Sequence, residues 1–190
     1  KERKQSVEKN RTIAKYQASS IRVFVVRSME ERSRIDLLIK VAAQQVANSS
    51  FEFIVAGKGP LYDFYIKQIE TLNLTNIRLL GYVSDLDLID YYSSCDIVLM
   101  PAEYGEGFGL PIIEGYLFNK PVIASNKCAI PEVICSDEFL FENTVESIIE
   151  KLEYASSNQK IDFKEYYNDE FSNASISKRF NELYRSLVKC

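Results

Sequence analysis

Asp96-Ile97-Val98-Leu99-Met100-Pro101 runs through Ala102-Glu103-Tyr104-Gly105-Glu106-Gly107-Phe108-Gly109-Leu110 into Pro111-Ile112-Ile113-Glu114. The opening run is short, apolar and closed by a proline, which reads as a buried strand. Ala102 to Leu110 is a loop with three glycines, and Pro111 opens a helix that reaches Phe118. The glycines at 105, 107 and 109 free the backbone for close approach to a ligand. The helix N-terminus presents unpaired N–H groups and a partial positive charge, a seat suited to phosphate. Glu106 lies in the loop and Glu114 about one turn into the helix. A carboxylate there can accept hydrogen bonds from a ribose diol while the N–H groups hold phosphates. Composition alone fits a helix-opening turn with solvated acids equally well.

Outward from this stretch, strands and helices alternate. Ile21–Val26, Phe51–Ala56, Asn76–Leu80, Lys120–Ser125 and Glu138–Glu142 read as further strands. Residues 30–47 repeat apolar side chains at helical spacing, with Ile35, Leu38, Ile39, Ala42 and Val46 on one face. Leu61–Leu72, Asp85–Ser94, Val145–Ala155 and Ile176–Val188 are also helical. The acidic, Asn-rich stretch Ser156–Asn173 reads as solvated surface, and residues 1–19 as a linker or helical lead-in. Tyr62, Tyr65, Tyr91 and Tyr92 are expected to pack while exposing their hydroxyls. The fold class is therefore α/β: a doubly wound, mostly parallel Rossmann-like sheet of about six strands with helices on both faces. In such sheets ligands sit beyond the carboxyl ends of the strands, which selects the loops after Val26, Ala56, Leu80 and Met100.

Composition narrows the chemistry. The 190 residues carry 23 Lys plus Arg against 27 Asp plus Glu, a net charge of −4 that argues against nucleic-acid binding by bulk charge. There is no histidine, so a Ser-His-Asp hydrolase, a Cys-His protease and a His-based zinc site are excluded within the chain. Cys95, Cys128, Cys135 and Cys190 form no CxxC pair and read as thiols of a reducing, cytoplasmic compartment. No apolar run approaches the ~20 residues of a membrane span. The chain opens on Lys1 rather than Met, so a fragment or an excised domain is expected.

Glu106 and Glu114 stand eight apart, in E-x7-E spacing, around Gly-Phe-Gly-Leu-Pro, with Lys120-Pro121-Val122-Ile123-Ala124-Ser125 following. This resembles the nucleotide-sugar-binding half of retaining GT-B glycosyltransferases of family four. Val55-Ala56-Gly57-Lys58-Gly59-Pro60-Leu61 looks like that family's glycine turn, and Leu80-Gly81-Tyr82-Val83-Ser84 like its base-side turn. Ile130-Pro131-Glu132-Val133-Ile134 looks like its short helix after the fifth strand. The resemblance covers residues 20–188 in order.

It implies a role for each matching position. Glu114 would bind ribose hydroxyls. Glu106 would touch the donor sugar and help stabilise positive charge developing at its anomeric carbon, as the catalytic residue. The amides of Phe108, Gly109 and Leu110, with Gly107 beside them, would hold the diphosphate. Gly57 and Lys58 would border it, Gly81, Tyr82 and Val83 would lie beside the base, and Arg27 could reach the phosphates. The implied reaction moves a hexosyl group from a nucleotide-diphosphate sugar to a hydroxyl, with retention, in bacterial polysaccharide or glycoconjugate synthesis. No cofactor or metal is expected; Asp85-Leu86-Asp87 reads as helix capping. The acceptor would sit on a separate N-terminal domain absent from this chain, so this half would bind donor and transfer it to nothing. Any membrane association would come through that absent domain.

The chain also departs from the family. The usual Gly-Arg after the first strand becomes Arg27-Ser28, and the expected Lys falls near Ser33. Arg27, Arg32, Arg34 or Lys58 could replace those cations, or the residues from Arg27 to Arg34 form an exposed charged helix start. The last helix, with Ile176, Phe180, Leu183, Tyr184 and Leu187 at helical spacing, is expected to pack on its own domain first and to dock to the absent partner domain second. Two other readings stand beside donor binding: a non-catalytic interaction subunit that keeps the fold, and half of a nucleotide-sugar epimerase.

Overall fold

A computed structural model describes residues 20–46, 50–158 and 161–188; the expected lead-in of residues 1–19 lies outside them. Six parallel strands are β1 (Ile21–Val26), β2 (Phe51–Ala56), β3 (Ile77–Gly81), β4 (Ile97–Met100), β5 (Val122–Ser125) and β6 (Leu140–Phe141). They lie side by side in the order β3-β2-β1-β4-β5-β6. The order reverses between β1 and β4, the switch point where a doubly wound sheet opens a crevice. β1 runs in register along all of β2, from Ile21 opposite Phe51 to Val26 opposite Ala56.

Burial explains the strand composition. Val23, Phe24 and Val25 of β1 and all four residues of β4 and of β5 are buried, because helices cover both sheet faces. Helix α1 (Ile35–Gln45) buries Ile35, Leu38, Ile39 and Ala42 at the predicted spacing. It starts at Ile35 rather than residue 30, because Arg34 takes a left-handed conformation (φ 50°) after a 3-10 turn at Glu31–Ser33. Val46, expected on the buried face, follows the last helical residue and is exposed. The remaining helices are α2 (Tyr62–Thr71), α3 (Asp85–Ser94), α4 (Leu110–Leu117), α5 (Val145–Ser157), α6 (Phe163–Phe171) and α7 (Asn173–Val188). β6 is shorter than expected, because Asp137–Phe139 forms a 3-10 turn capped by the Ser136 hydroxyl.

Two sequence expectations fail at the C-terminal end. Ser156–Asn173 contains helix α6. Asp162 caps it by accepting from the N–H groups of Lys164 and Glu165, and Phe163 is buried. The Phe163 ring stacks on Tyr116 with centroids 5.7 Å apart, and Tyr166 meets Tyr116 edge-on at 5.4 Å. The acids of this segment therefore lie on the outer side of an amphipathic helix. Helix α7 does not pack its apolar face on the domain: it leans on α6 and buries none of its residues, leaving Phe180, Leu183, Tyr184 and Leu187 more than half exposed.

Candidate functional site

The loops after β1, β2 and β3 form one floor. Arg27 N–H donates to the Ala56 carbonyl at 3.0 Å, Gly57 N–H to Gly81 at 2.7 Å, and Met29 N–H to Lys58 at 3.0 Å. Gly57 is dictated by this contact: its φ is +136°, and a Cβ would lie 1.8 Å from the Arg27 carbonyl oxygen. A cavity of about 330 Å³ opens above the floor, lined among others by Arg27, Ser28, Gly57, Tyr82, Val83 and Asp85. Four of these six were expected at the site. Lys58 instead lays its ammonium 5.9 Å from the centroid of the Tyr62 ring. Gly81 ends β3 with φ +73°, and a Cβ there would lie 3.3 Å from the Lys58 Cε. Asp85-Leu86-Asp87 begins α3 as a cap: the Ser84 hydroxyl accepts the Asp87 N–H at 3.3 Å and lies 2.8 Å from the Asp87 carboxylate.

Helix α4 enters through Gly109, whose left-handed φ of +88° suits glycine, and Pro111 in its first turn offers no N–H. With Pro111 in the first turn, the amides this helix start can offer a ligand narrow to those around Gly109. The Gly109 N–H is already satisfied: it donates to Oε1 of Glu106 at 3.0 Å. Oε2 of Glu106 pairs with Nη1 of Arg27 at 2.6 Å. Both side chains are withdrawn from solvent, Arg27 at 8% and Glu106 at 16% exposure. Arg27 is thus no part of an exposed helix start. Its Nε is buried without a hydrogen-bond partner. A Cβ added to Gly107 would meet nothing within 4 Å, so the loop's outer side is open. Phe108 meets Phe171 edge-on at 6.0 Å and Leu110 is exposed.

Glu114 lies within the same helix, about one turn past its start. The Tyr92 hydroxyl donates to its Oε2 at 2.5 Å. Tyr92 was expected to show its hydroxyl to solvent; instead the whole side chain is buried, edge-on to Phe24 at 5.1 Å and stacked on Phe118 at 5.6 Å. Burial first, then the Glu114 charge, pushes the phenol pKa far up, so it remains a donor. Tyr65 is likewise buried. The signal for Tyr92 was available: it lies on the apolar side of α3 with Leu88, and a buried phenol needs a polar partner.

A second polar network holds the loop after β4. Arg34 pairs with Glu103, whose carboxylate also accepts from Asn143 at 2.9 Å. Asn143 in turn accepts from Ser125 and donates to the Ala102 carbonyl. The hydrogen bond from Arg34, then that from Asn143, holds the Glu103 carboxyl below the usual carboxylate range. The Glu103 N–H donates to the Arg32 carbonyl at 2.8 Å, which ties the β4 loop to the β1 loop. Ser28 and Ser33 place their hydroxyls 3.3 Å apart, and Ser33 is fully buried. Arg32 pairs with Glu30 at 2.6 Å near the surface. Of the replacement cations considered, Arg27 alone both lines the cavity and touches Glu106.

Comparison with known proteins agrees with this architecture. The description of the glycosyl transferases group 1 matches residues 6–172. An O-antigen biosynthesis glycosyltransferase of Escherichia coli, WclY, is 26% identical over 171 residues, covering 85% of this chain and 46% of that protein. The chain spans about half the length of the curated relatives it matches. A TarM variant from S. aureus, solved with fondaparinux, alpha-GlcNAc-glycerol and UDP, superposes with a TM-score of 0.73 at 26% identity, covering 90% of this chain and 36% of that one. HepE from Anabaena, solved with UDP and glucose, gives 0.73 at 20% identity over 95% of this chain and 51% of its own, which speaks to the fold.

Proposed function

The chain belongs to the glycosyl transferases group 1, and from that membership we propose that it is the donor-binding half of a retaining glycosyltransferase. The substrate is a nucleotide-diphosphate sugar, and the product a hexosyl group joined to a hydroxyl of a bacterial polysaccharide or glycoconjugate. The acceptor is held by a second domain outside this chain. The observation that carries the reading is that Arg27, which lines the cavity, pairs with Glu106, which in turn accepts from the Gly109 amide at the start of α4.

The roles follow from charge. Tyr82 and Val83 flank the base. Glu114, oriented by Tyr92, accepts from the ribose hydroxyls through its remaining lone pairs. The diphosphate takes the amides at 108–110 and the Arg27 guanidinium, which stabilise the charge it gains as leaving group. As the bond between the anomeric carbon and the diphosphate oxygen breaks, positive charge grows on the sugar. Glu106 offsets it. The acceptor oxygen bonds to the same face and its proton passes to the departing diphosphate.

Calorimetric titration of UDP, GDP and ADP tests this, with Glu114→Ala as control. The expected result is saturable binding of at least one nucleotide, weakened by the substitution. Absence of binding by all three to a folded sample joined to its acceptor domain would sink the proposal.

The Ser28–Ser33 hydroxyl pair favours a second reading, a subunit that keeps the fold without turnover, because hydroxyls stand where the resemblance puts two cations. Losing both would raise the barrier by several kcal/mol, on the order of 2–4 per lost contact. Transfer or hydrolysis of a labelled nucleotide sugar by the intact protein, abolished by Glu106→Ala, excludes it.

A further inference from the structure

We infer that Glu106 is the resident anion of the diphosphate seat in the empty protein, and that Arg27 is a cation that changes partners when a diphosphate arrives. The inference rests on the donor-site reading and adds a step to it. One Glu106 oxygen caps the α4 start through the Gly109 N–H, and the other neutralises Arg27. These are the two attractions that would hold a diphosphate: an amide at a helix N-terminus and a guanidinium. A carboxylate already satisfies both.

Three observations support an arrangement that exchanges. Arg27 is nine-tenths buried, lines the cavity, and keeps its Nε without an acceptor. A guanidinium carries five donors, and a buried donor left unpaired is costly. The carboxylate therefore leaves Arg27 incompletely satisfied, while phosphate oxygens are more numerous and suit its fork. The loop is uncrowded next to Glu106, since a Cβ at Gly107 would meet nothing within 4 Å. Finally, Ser28 and Ser33 bond to each other and bring no positive charge. Arg27 carries the phosphate electrostatics that those two positions do not supply.

The exchange has a functional consequence. Glu106 is held away from the sugar position until the diphosphate displaces it. Binding of the leaving group and release of the carboxylate that stabilises the developing cation then become one event. No bond is made or broken in the exchange; only ion pairs and hydrogen bonds change partners.

Inorganic pyrophosphate is the direct probe, alongside UDP and GDP and their monophosphates. Glu106→Gln removes the competing charge and should bind pyrophosphate and the nucleoside diphosphates about tenfold more tightly than wild type, an ordinary size for coupling between competing ligands. UMP and GMP should change much less. In the absence of anions the variant should melt below wild type, since Arg27 loses its counter-ion, and pyrophosphate should raise its melting temperature by more. With Arg27→Met as background, Glu106→Gln should bring no gain. If that double variant does not fold, the Glu106 carboxyl resonance decides, for it should move as wild type is saturated with pyrophosphate. Pyrophosphate binding that is absent, or no tighter in Glu106→Gln, overturns the exchange. So does a gain that persists without Arg27, or a Glu106 resonance that stays still. Nucleotide binding that depends on Glu114 but ignores Glu106 overturns the exchange alone; absence of all nucleotide binding overturns the donor-site reading with it.

Discussion

Tyr92 on α3 holds Glu114 on α4 through a 2.5 Å hydrogen bond from its buried hydroxyl to Oε2. The ring is fixed between Phe24 and Phe118, so the acid inherits the rigidity of the core. Tyr92→Phe keeps the packing and removes the donor. Stability should fall by roughly 1–2 kcal/mol in urea denaturation, the usual cost of stranding a charged acceptor. Affinity for a nucleoside diphosphate should fall several-fold. A variant that binds as tightly as wild type would show that Glu114 needs no such support.

Gly57 gives a sharper steric test. A Cβ there would lie 1.8 Å from the Arg27 carbonyl in a backbone conformation that L residues avoid. Gly57→Ala should lose about 3 kcal/mol or more, measured by chemical denaturation. Gly107→Ala, with open space around it, should stay within about 1 kcal/mol.

Acid titration reports the β4 loop. The Glu103 carboxyl is lowered by Arg34 first and then by Asn143, so the folded chain binds this proton less readily than the unfolded one. The contribution to stability is full above the ordinary carboxylate pKa and is lost as pH falls through the lowered folded value. Melting temperatures from pH 7 to pH 3 should fall less steeply in Glu103→Gln than in wild type. Equal slopes would remove Glu103 from the pH response.

Thiol chemistry should separate the cysteines. Burial pushes the Cys95 thiol up to about 12, whereas Cys128 is exposed. Iodoacetamide at pH 8 should alkylate Cys128 in the native protein and spare Cys95 until denaturant is added, as read by peptide mass mapping.

Phe163 anchors the helix that its own acidic sequence conceals. It is buried against Tyr116 and Phe139. Phe163→Ala should cost about 3–5 kcal/mol and lower the helical signal. A cost below ~1 kcal/mol would mean that α6 is an ornament on the surface.

The sheet was legible because its strands are continuous apolar runs and its turns fall at Gly57, Gly81 and Pro101. Those local signals need no partner to be read. Helix α6 was missed because Phe163, Tyr166 and Phe171 are spread among acids, and charge dominated the reading; the decisive contact, with Tyr116, lies 47 residues away. Motif spacing singles out Glu106 and Glu114, but it does not reveal the side chains they meet. Arg27 sits 79 residues from Glu106, and Tyr92 sits 22 from Glu114. Which side chain meets which across a sheet is a property of packing, and one sequence does not print it. The same holds for α7, whose spacing announced an apolar face but not that the face would stay uncovered.

Arg32 and Glu103 join the β1 and β4 loops through the backbone, and Arg34 clamps Glu103 from the side. The two lips of the crevice therefore behave as a single mechanical part. Parting the lips would cost a backbone hydrogen bond and an ion pair together. A substitution that loosens Arg34 or Glu103 is therefore felt on both sides of the opening.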